Sequence, residues 1–381
     1  MIRIRDFEFS LRELAGSMGD FGTLFPLAIG YFVVNGLNPA GLLVMMGVAN
    51  IITGIVYRLP MPIEPKKALA AVAIAQSWSP SMIYATGFGT GLIWLGLALT
   101  GLVQKIAAIT PRSVVRGIQV ALGILLAIEG FKMVSTGWIL GLVSIAIVIL
   151  LRKSRYAPAA IVLMVMGIVV VGVKGEISGS IHLGFTLPPL TLFSPIEIWQ
   201  GLVQAGFAQI ALTATNAVIA TGLLIKEYWP DKAVTEKRLA LNMGVMNVIV
   251  PFFGGMPMCH GAGGLAGQYY FGARTGGTNI IEGIIEISLG LFLAGSIVTL
   301  FSLFPKSILG AMLIMVGIEL TRFVRDIKIH ETPMMALTAC LSLLTNMAIG
   351  FVVAVAVWHA LRRWGRGNRY VGWIVGQNRD Q

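Results

Sequence analysis

The sequence predicts an all-α polytopic membrane protein of about fourteen transmembrane segments, arranged as a 7+7 inverted repeat in which spans three and ten are discontinuous. Three observations carry that reading. Of 381 residues 56% are hydrophobic and only 12% charged, with a mean hydropathy of +0.83, more apolar surface than one soluble core can hide. Apolar runs of roughly 15 to 25 residues recur along the chain, the length that crosses about 30 Å of hydrocarbon; the alternating strands of a membrane barrel are absent. Finally, two stretches break the apolar runs at corresponding places, Leu59 to Gln76 and Gly254 to Gly277, with Met61-Pro62 and Met256-Pro257 separated by 195 positions and Ala71 falling on Ala266.

The first seven spans are expected near 13–36, 39–57, 63–77, 80–104, 113–131, 136–151 and 157–173. A Gly-, Ser- and Pro-rich loop from Lys174 to Pro195 comes next. The second seven lie near 197–225, 236–253, 258–271, 279–303, 307–321, 332–346 and 347–364. An odd number of spans turns the second repeat (191–381) upside down relative to the first (1–190). Pro111-Arg112-Ser113 recurs as Pro305-Lys306-Ser307 at an offset of 194, and Gly123 falls on Gly317 at the same offset. The stretch beyond Trp364 is too short for a core of its own, so no soluble domain is expected.

A net charge of +11 would suggest nucleic acid in a soluble protein. Here it reports orientation: 23 of the 28 Lys and Arg fall on one side of the assigned spans, and that side is expected to be cytoplasmic, with both termini on it. Lys132, Lys174 and Lys306 lie opposite; Lys66 and Lys67 lie within the membrane. The charged N-terminus lacks the apolar run of a cleaved signal peptide. Cys259 and Cys340 both sit in apolar segments, so no disulfide is expected.

The broken spans hold the candidate chemistry. Pro60, Pro62 and Pro65 keep the first part of span three extended, so helix begins near Pro65 and its unpaired N–H groups and positive dipole end meet a cavity suited to an anion. Gly254, Gly255 and Pro257 repeat the device in span ten, where Gly261, Gly263 and Gly264 either admit a ligand to backbone amides or only let helices pack closely. Glu64, Lys66 and Lys67 are charges at a costly depth, answered either by a bound dianion or by an internal Glu64–Lys ion pair. Lys66 and Lys67 point about 100° apart, so one of them faces the cavity. Beside the second helix start, Cys259 precedes His260, which reads as a neutral donor, a proton carrier or a satisfied core histidine. Flanking spans add Asp20, Phe21 and Thr23 on span one and Gln209, Thr213 and Asn216 on span eight. These polar residues either contact ligand or join helices, and Asp20 is an alternative partner for a lysine. No Ser/His/Asp set, P-loop or metal-binding cluster is present, so no enzyme, metal or cofactor is expected.

The segments PMPIEPKKALAAVA (60–73) and FGGMPMCHGAGGLAGQYYFGARTGG (253–277) resemble the two signature segments of the molybdate transporter family, a branch of the sulfate permease superfamily. The resemblance implies the fold shared with uracil permeases, with core spans 1–4 (within 13–104) and 8–11 (within 197–303) and gate spans 5–7 (within 113–173) and 12–14 (within 307–364). It also implies substrate between the two half-helices and an elevator-like exchange of access, without the C-terminal regulatory domain of most sulfate permeases. The family pattern usually has Gln at the place of Glu64 and Met at the place of Lys66. A Glu beside a dianion repels it unless neutralised by Lys66 or by a proton.

The expectation is a secondary carrier for a tetrahedral oxyanion, molybdate first and tungstate or sulfate second, without nucleic acid. Lys66 or Lys67 supplies positive charge, the amides near Lys66 and Gly261 hold oxygens, and His260, Thr213 and Asn216 serve as neutral donors. A coupling proton on Glu64 or His260 and a homodimer are compatible with this. The alternatives are a nucleobase or bicarbonate carrier on the same fold, an intramembrane enzyme, and a channel.

Overall fold

The computed structural model describes residues 2–151, 159–173, 183–232 and 234–364. The tail after Trp364 and the first part of the expected external loop, 174–182, lie outside the described residues. Each of the fourteen expected segments carries helix. Among the described residues, five helical stretches are long and apolar enough to cross a membrane by length and composition: Pro39–Tyr57, Pro80–Thr100, Arg112–Val134, Pro195–Tyr228 and Lys306–Asp326. Span eleven is divided into Gly277–Phe292 and Ala294–Ser302.

Long helices from opposite halves of the chain pack in pairs. Pro39–Tyr57 lies along Gly277–Phe292, Pro80–Thr100 along Glu236–Ile249, and Arg112–Val134 along Lys306–Thr321. The last pair meets through the glycines noticed at offset 194. A Cβ on Gly123 would stand 2.7 Å from the Gly317 carbonyl oxygen, and one on Gly317 would stand 2.6 Å from that of Gly123. Only glycine permits backbones this close, as small residues do where helices associate in lipid. The two glycines that share this sequence offset thus touch one another.

A short hairpin of Ile2–Ile4 and Phe7–Phe9 precedes the Leu11–Ser17 helix. From that helix the buried Glu13 carboxylate accepts the N–H groups of Arg274 and Thr275 and the hydroxyls of Thr275 and Thr278. It thereby ties the charged N-terminus to the turn before Gly277–Phe292.

Spans three and ten break as the prolines require. Helix starts at Lys67 in one and at Ala262 in the other, each preceded by extended backbone. Extended backbone deep in the fold must find partners from outside its own segment. Asn279 supplies both for Met61, its Oδ1 accepting the Met61 N–H at 2.9 Å and its Nδ2 donating to the Met61 carbonyl. Asn247 does the same for Met258, at 2.9 and 2.7 Å. One clamp comes from the opposite repeat and the other from the span just before, so the two halves meet the same demand with non-equivalent helices. Replacing Asn279 by Ala orphans two buried backbone groups at about 1–3 kcal/mol each. The purified Asn279→Ala protein is expected to melt at a clearly lower temperature in detergent than wild type, and the Asn247→Ala protein likewise.

Candidate functional site

The two lead-ins are hydrogen-bonded to each other. Glu64–Pro65 pairs antiparallel with Met258–Cys259, Glu64 opposite Cys259 and Pro65 opposite Met258, and Lys66 N–H donates to the Pro257 carbonyl at 2.9 Å. This two-residue ladder places the starts of the two half-helices side by side. Each start is capped from elsewhere in the chain. Ala68 N–H donates to Gln209 Oε1 at 2.8 Å, and Gly264 N–H donates to Glu64 Oε1 at 3.1 Å. The expectation that these first-turn amides stand open for an anion is therefore corrected in part, since one in each helix already has a side-chain acceptor. The amides of Ala262 and Gly263, also in a first turn, have no carbonyl a turn earlier to receive them.

In front of the starts lies a cavity of about 400 Å³, its mouth included. Glu64, Lys67, Cys259 and His260 line it from the broken spans. Gln209, Leu212, Thr213, Asn216 and Ala217 line it from span eight, and Gln119, Leu122 and Leu320 from spans five and twelve. Span eight widens there into a π-helical turn over Thr213–Ala220, an irregularity frequent at functional sites. Gln209 Nε2 donates to Thr213 Oγ1 at 2.8 Å. Because that oxygen already accepts, the Thr213 hydroxyl proton is left for another acceptor.

Seven of the residues singled out in the sequence thus come together: Glu64, Lys67, Gln209, Thr213, Asn216, Cys259 and His260. Asp20, Phe21 and Thr23 lie on a helical backbone, but their side chains fall outside the described part of the structure. Lys66 is corrected. It is fully buried away from the cavity lining, and its ammonium donates to Thr90 Oγ1 at 2.6 Å, which in turn donates to the Gly87 carbonyl. The lysine that meets the cavity and neutralises Glu64 is Lys67, at 2.7 Å from Glu64 Oε2. The reason is the helix start: Lys67 is the first helical residue, whereas Lys66 is the last extended residue before it, and the two side chains leave the backbone in different directions.

The role given to Gly261 changes as well. A Cβ there would collide with both carboxylate oxygens of Glu64, so this glycine makes room for the carboxylate that caps the second half-helix. Gly261→Ala is expected to push Glu64 off Gly264 and Lys67 and to weaken ligand binding at least tenfold, about 1.4 kcal/mol, measured by titration calorimetry on protein that still elutes as a folded species. Unchanged affinity would leave Gly261 a packing residue.

His260 is fully buried, and its Nδ1 lies 3.2 Å from the Pro62 carbonyl oxygen. A carbonyl only accepts, so Nδ1 carries the proton, and the Nε2 of a neutral ring is an acceptor. The expected neutral donor is therefore corrected: His260 donates from Nε2 only after taking up a second proton. Nε2 has no protein partner among the described residues. Gln119, Leu122, Leu212, Ala217 and Leu320 escaped the sequence reading. Only Gln119, an amide in an otherwise apolar stretch of span five, gave a signal that could have been used.

The family model described as "Molybdate transporter of MFS superfamily" matches residues 12–126 and 201–320, which hold both signature segments. This chain belongs to that molybdate transporter family. The resemblance read from the two signature segments is borne out. Among relatives similar to this member are Molybdate transporter 1 of Arabidopsis thaliana, 32% identical with 94% of this chain and 90% of the relative covered, and Molybdate transporter 2 of the same plant, also 32% identical with 92% and 87% covered. Molybdate transporter 1 of Chlamydomonas reinhardtii is 28% identical, with 93% and 94% covered. Among solved structures, the transmembrane domain of the cyanobacterial bicarbonate transporter BicA superposes with a TM-score of 0.68 at 17% identity, covering 93% of this chain and 98% of that one. SLC26A9 superposes with a TM-score of 0.72 at 13% identity, covering 97% of this chain and 67% of that one. At such identities these two speak for the fold. This molybdate transporter family member is thus a polytopic membrane protein of the architecture seen in BicA and SLC26A9.

Proposed function

We propose that the protein is a secondary carrier taking up a tetrahedral oxyanion, molybdate first, with tungstate and sulfate as competitors. The observation that carries this is the cavity at the paired half-helix starts. It combines one lysine, two positive helix ends and a ring of neutral amide and hydroxyl groups, a set that binds an oxyanion through directed hydrogen bonds. The substrate named for the plant and algal relatives supports molybdate. Spans 1–4 and 8–11 would form a core that carries the ion and spans 5–7 and 12–14 a gate, with access exchanged by an elevator-like movement. The pairings of spans two with eleven, four with nine and five with twelve keep each helix pair within one of those bodies. The lysine and arginine bias supports a cytoplasmic membrane location with both termini inside.

The charge count refines the reading. Glu64 and Lys67 cancel, and a neutral His260 adds nothing, so a dianion enters a cavity without net charge. A proton on Glu64 or His260 would give the cavity one net positive charge, offsetting half of the dianion's charge, which makes proton symport the natural coupling. The same observation favours a second reading, a monoanion such as bicarbonate entering without a proton. Titration calorimetry of the purified protein with molybdate, tungstate, sulfate and bicarbonate separates the two, together with proteoliposome uptake read beside an internal pH dye. Saturable molybdate uptake that acidifies the lumen and is competed by tungstate is the expected result. Bicarbonate binding with no response to molybdate would overturn it.

A further inference from the structure

Gln119 is nearly buried on span five yet reaches the cavity lining, and its surroundings fix which way its amide faces. Arg116, one turn earlier, donates from Nη1 to the Gln119 side-chain oxygen at 2.8 Å. A guanidinium has only donors, so the atom it meets is the oxygen, and the amide nitrogen with its two N–H groups is turned the other way. Arg116 is itself held. Its Nε and Nη2 donate to the two carboxylate oxygens of Asp326 at 3.2 and 2.8 Å, and Arg112 also pairs with Asp326 at 2.5 Å. Within the described residues, Gln119 Nε2 has no protein partner, in a cavity where every other side-chain amide or hydroxyl on the wall comes from span eight.

We propose that Gln119 is an oxyanion contact supplied from the gate side of the cavity, and that Arg116, braced by Asp326, is the positioning residue that keeps its N–H groups turned towards the ion. This rests on the reading of the cavity as the oxyanion site. In that reading the ion travels with spans three, eight and ten, whereas Gln119 stays on span five. The contact is then made in one access state and broken in the other, so Gln119 strengthens binding at one face of the membrane only. Lys67 travels with the ion and serves both faces.

The test is apparent affinity for molybdate measured separately at the two faces, in proteoliposomes sorted by orientation. Gln119→Leu is expected to raise KM about tenfold, the worth of one hydrogen bond to an ion, at the face that bears Arg116 and Asp326, and to leave the other face within about twofold of wild type. Arg116→Met should copy that one-sided change, and Arg116→Lys, which can still donate to the Gln119 oxygen, should largely restore wild-type values. A purely structural role would alter both faces together or lower the amount of folded protein, and either result overturns the proposal. Wild-type protein that transports no oxyanion defeats the underlying reading instead; wild-type transport with unchanged KM in Gln119→Leu defeats this inference alone.

Discussion

Lys67→Met is expected to reduce molybdate binding at least 100-fold, below detection in a calorimetric titration at micromolar protein. Among the described residues Lys67 is the only lysine or arginine on the cavity wall, and it stands 2.7 Å from Glu64. Its loss removes an attraction and uncovers a repulsion together, because the buried Glu64 carboxylate then faces the dianion uncompensated. At an effective dielectric constant near 20, one pair of unit charges about 4 Å apart is worth about 4 kcal/mol, and 100-fold corresponds to about 2.7 kcal/mol. Lys66→Met is the control. Lys66 is off the cavity and donates to Thr90, so its removal should leave affinity within about threefold. If Lys67→Met binds as wild type does while Lys66→Met does not, the assignment of the cavity cation is wrong.

That contrast also marks how far the sequence could be read. The doubled proline-rich interruption announced two broken helices, because closely spaced prolines remove donors and turn the residues before them away from helix. The offset of Gly123 and Gly317 marked two corresponding positions, and that they touch came only from the packing of their helices. Adjacent Lys66 and Lys67 were a different matter. Periodicity says that only one can face the cavity, and it does not say which; the register of the helix start at Lys67 decided it. The trans caps were equally out of reach. That Glu64 would hold Gly264 N–H, 200 positions away, and Gln209 hold Ala68 N–H depends on how three spans cross, which leaves no local pattern. Asn279 and Asn247 looked like ordinary polar residues in helices, although any extended stretch in a membrane protein demands partners of their kind. Gln119 was visible as a polar residue out of place, and its meaning came only from Arg116.

Glu64→Gln should tighten molybdate binding about tenfold or more and remove most of its dependence on pH. A glutamine keeps a side-chain oxygen for Gly264 N–H, so the cap on the second half-helix survives. It frees Lys67 from its ion pair and raises the cavity from neutral to one net positive charge, which favours a dianion by Coulomb attraction alone. If Glu64 takes up the coupling proton, wild-type affinity rises as pH falls, because the protonated carboxyl no longer repels the ion or competes for Lys67. The Glu64→Gln protein would be fixed in the equivalent of that protonated state, and its affinity should stay flat across the same range. Transport should then separate from binding: molybdate exchange persists, whereas accumulation driven by a proton gradient falls towards the level set by the substrate gradient. Should His260 be the proton carrier, Glu64→Gln would bind more tightly but keep the wild-type slope with pH and keep accumulation. A fall in affinity at every pH would mean that the carboxylate is needed as a charge, as the anchor of Lys67, and would remove its repulsive role.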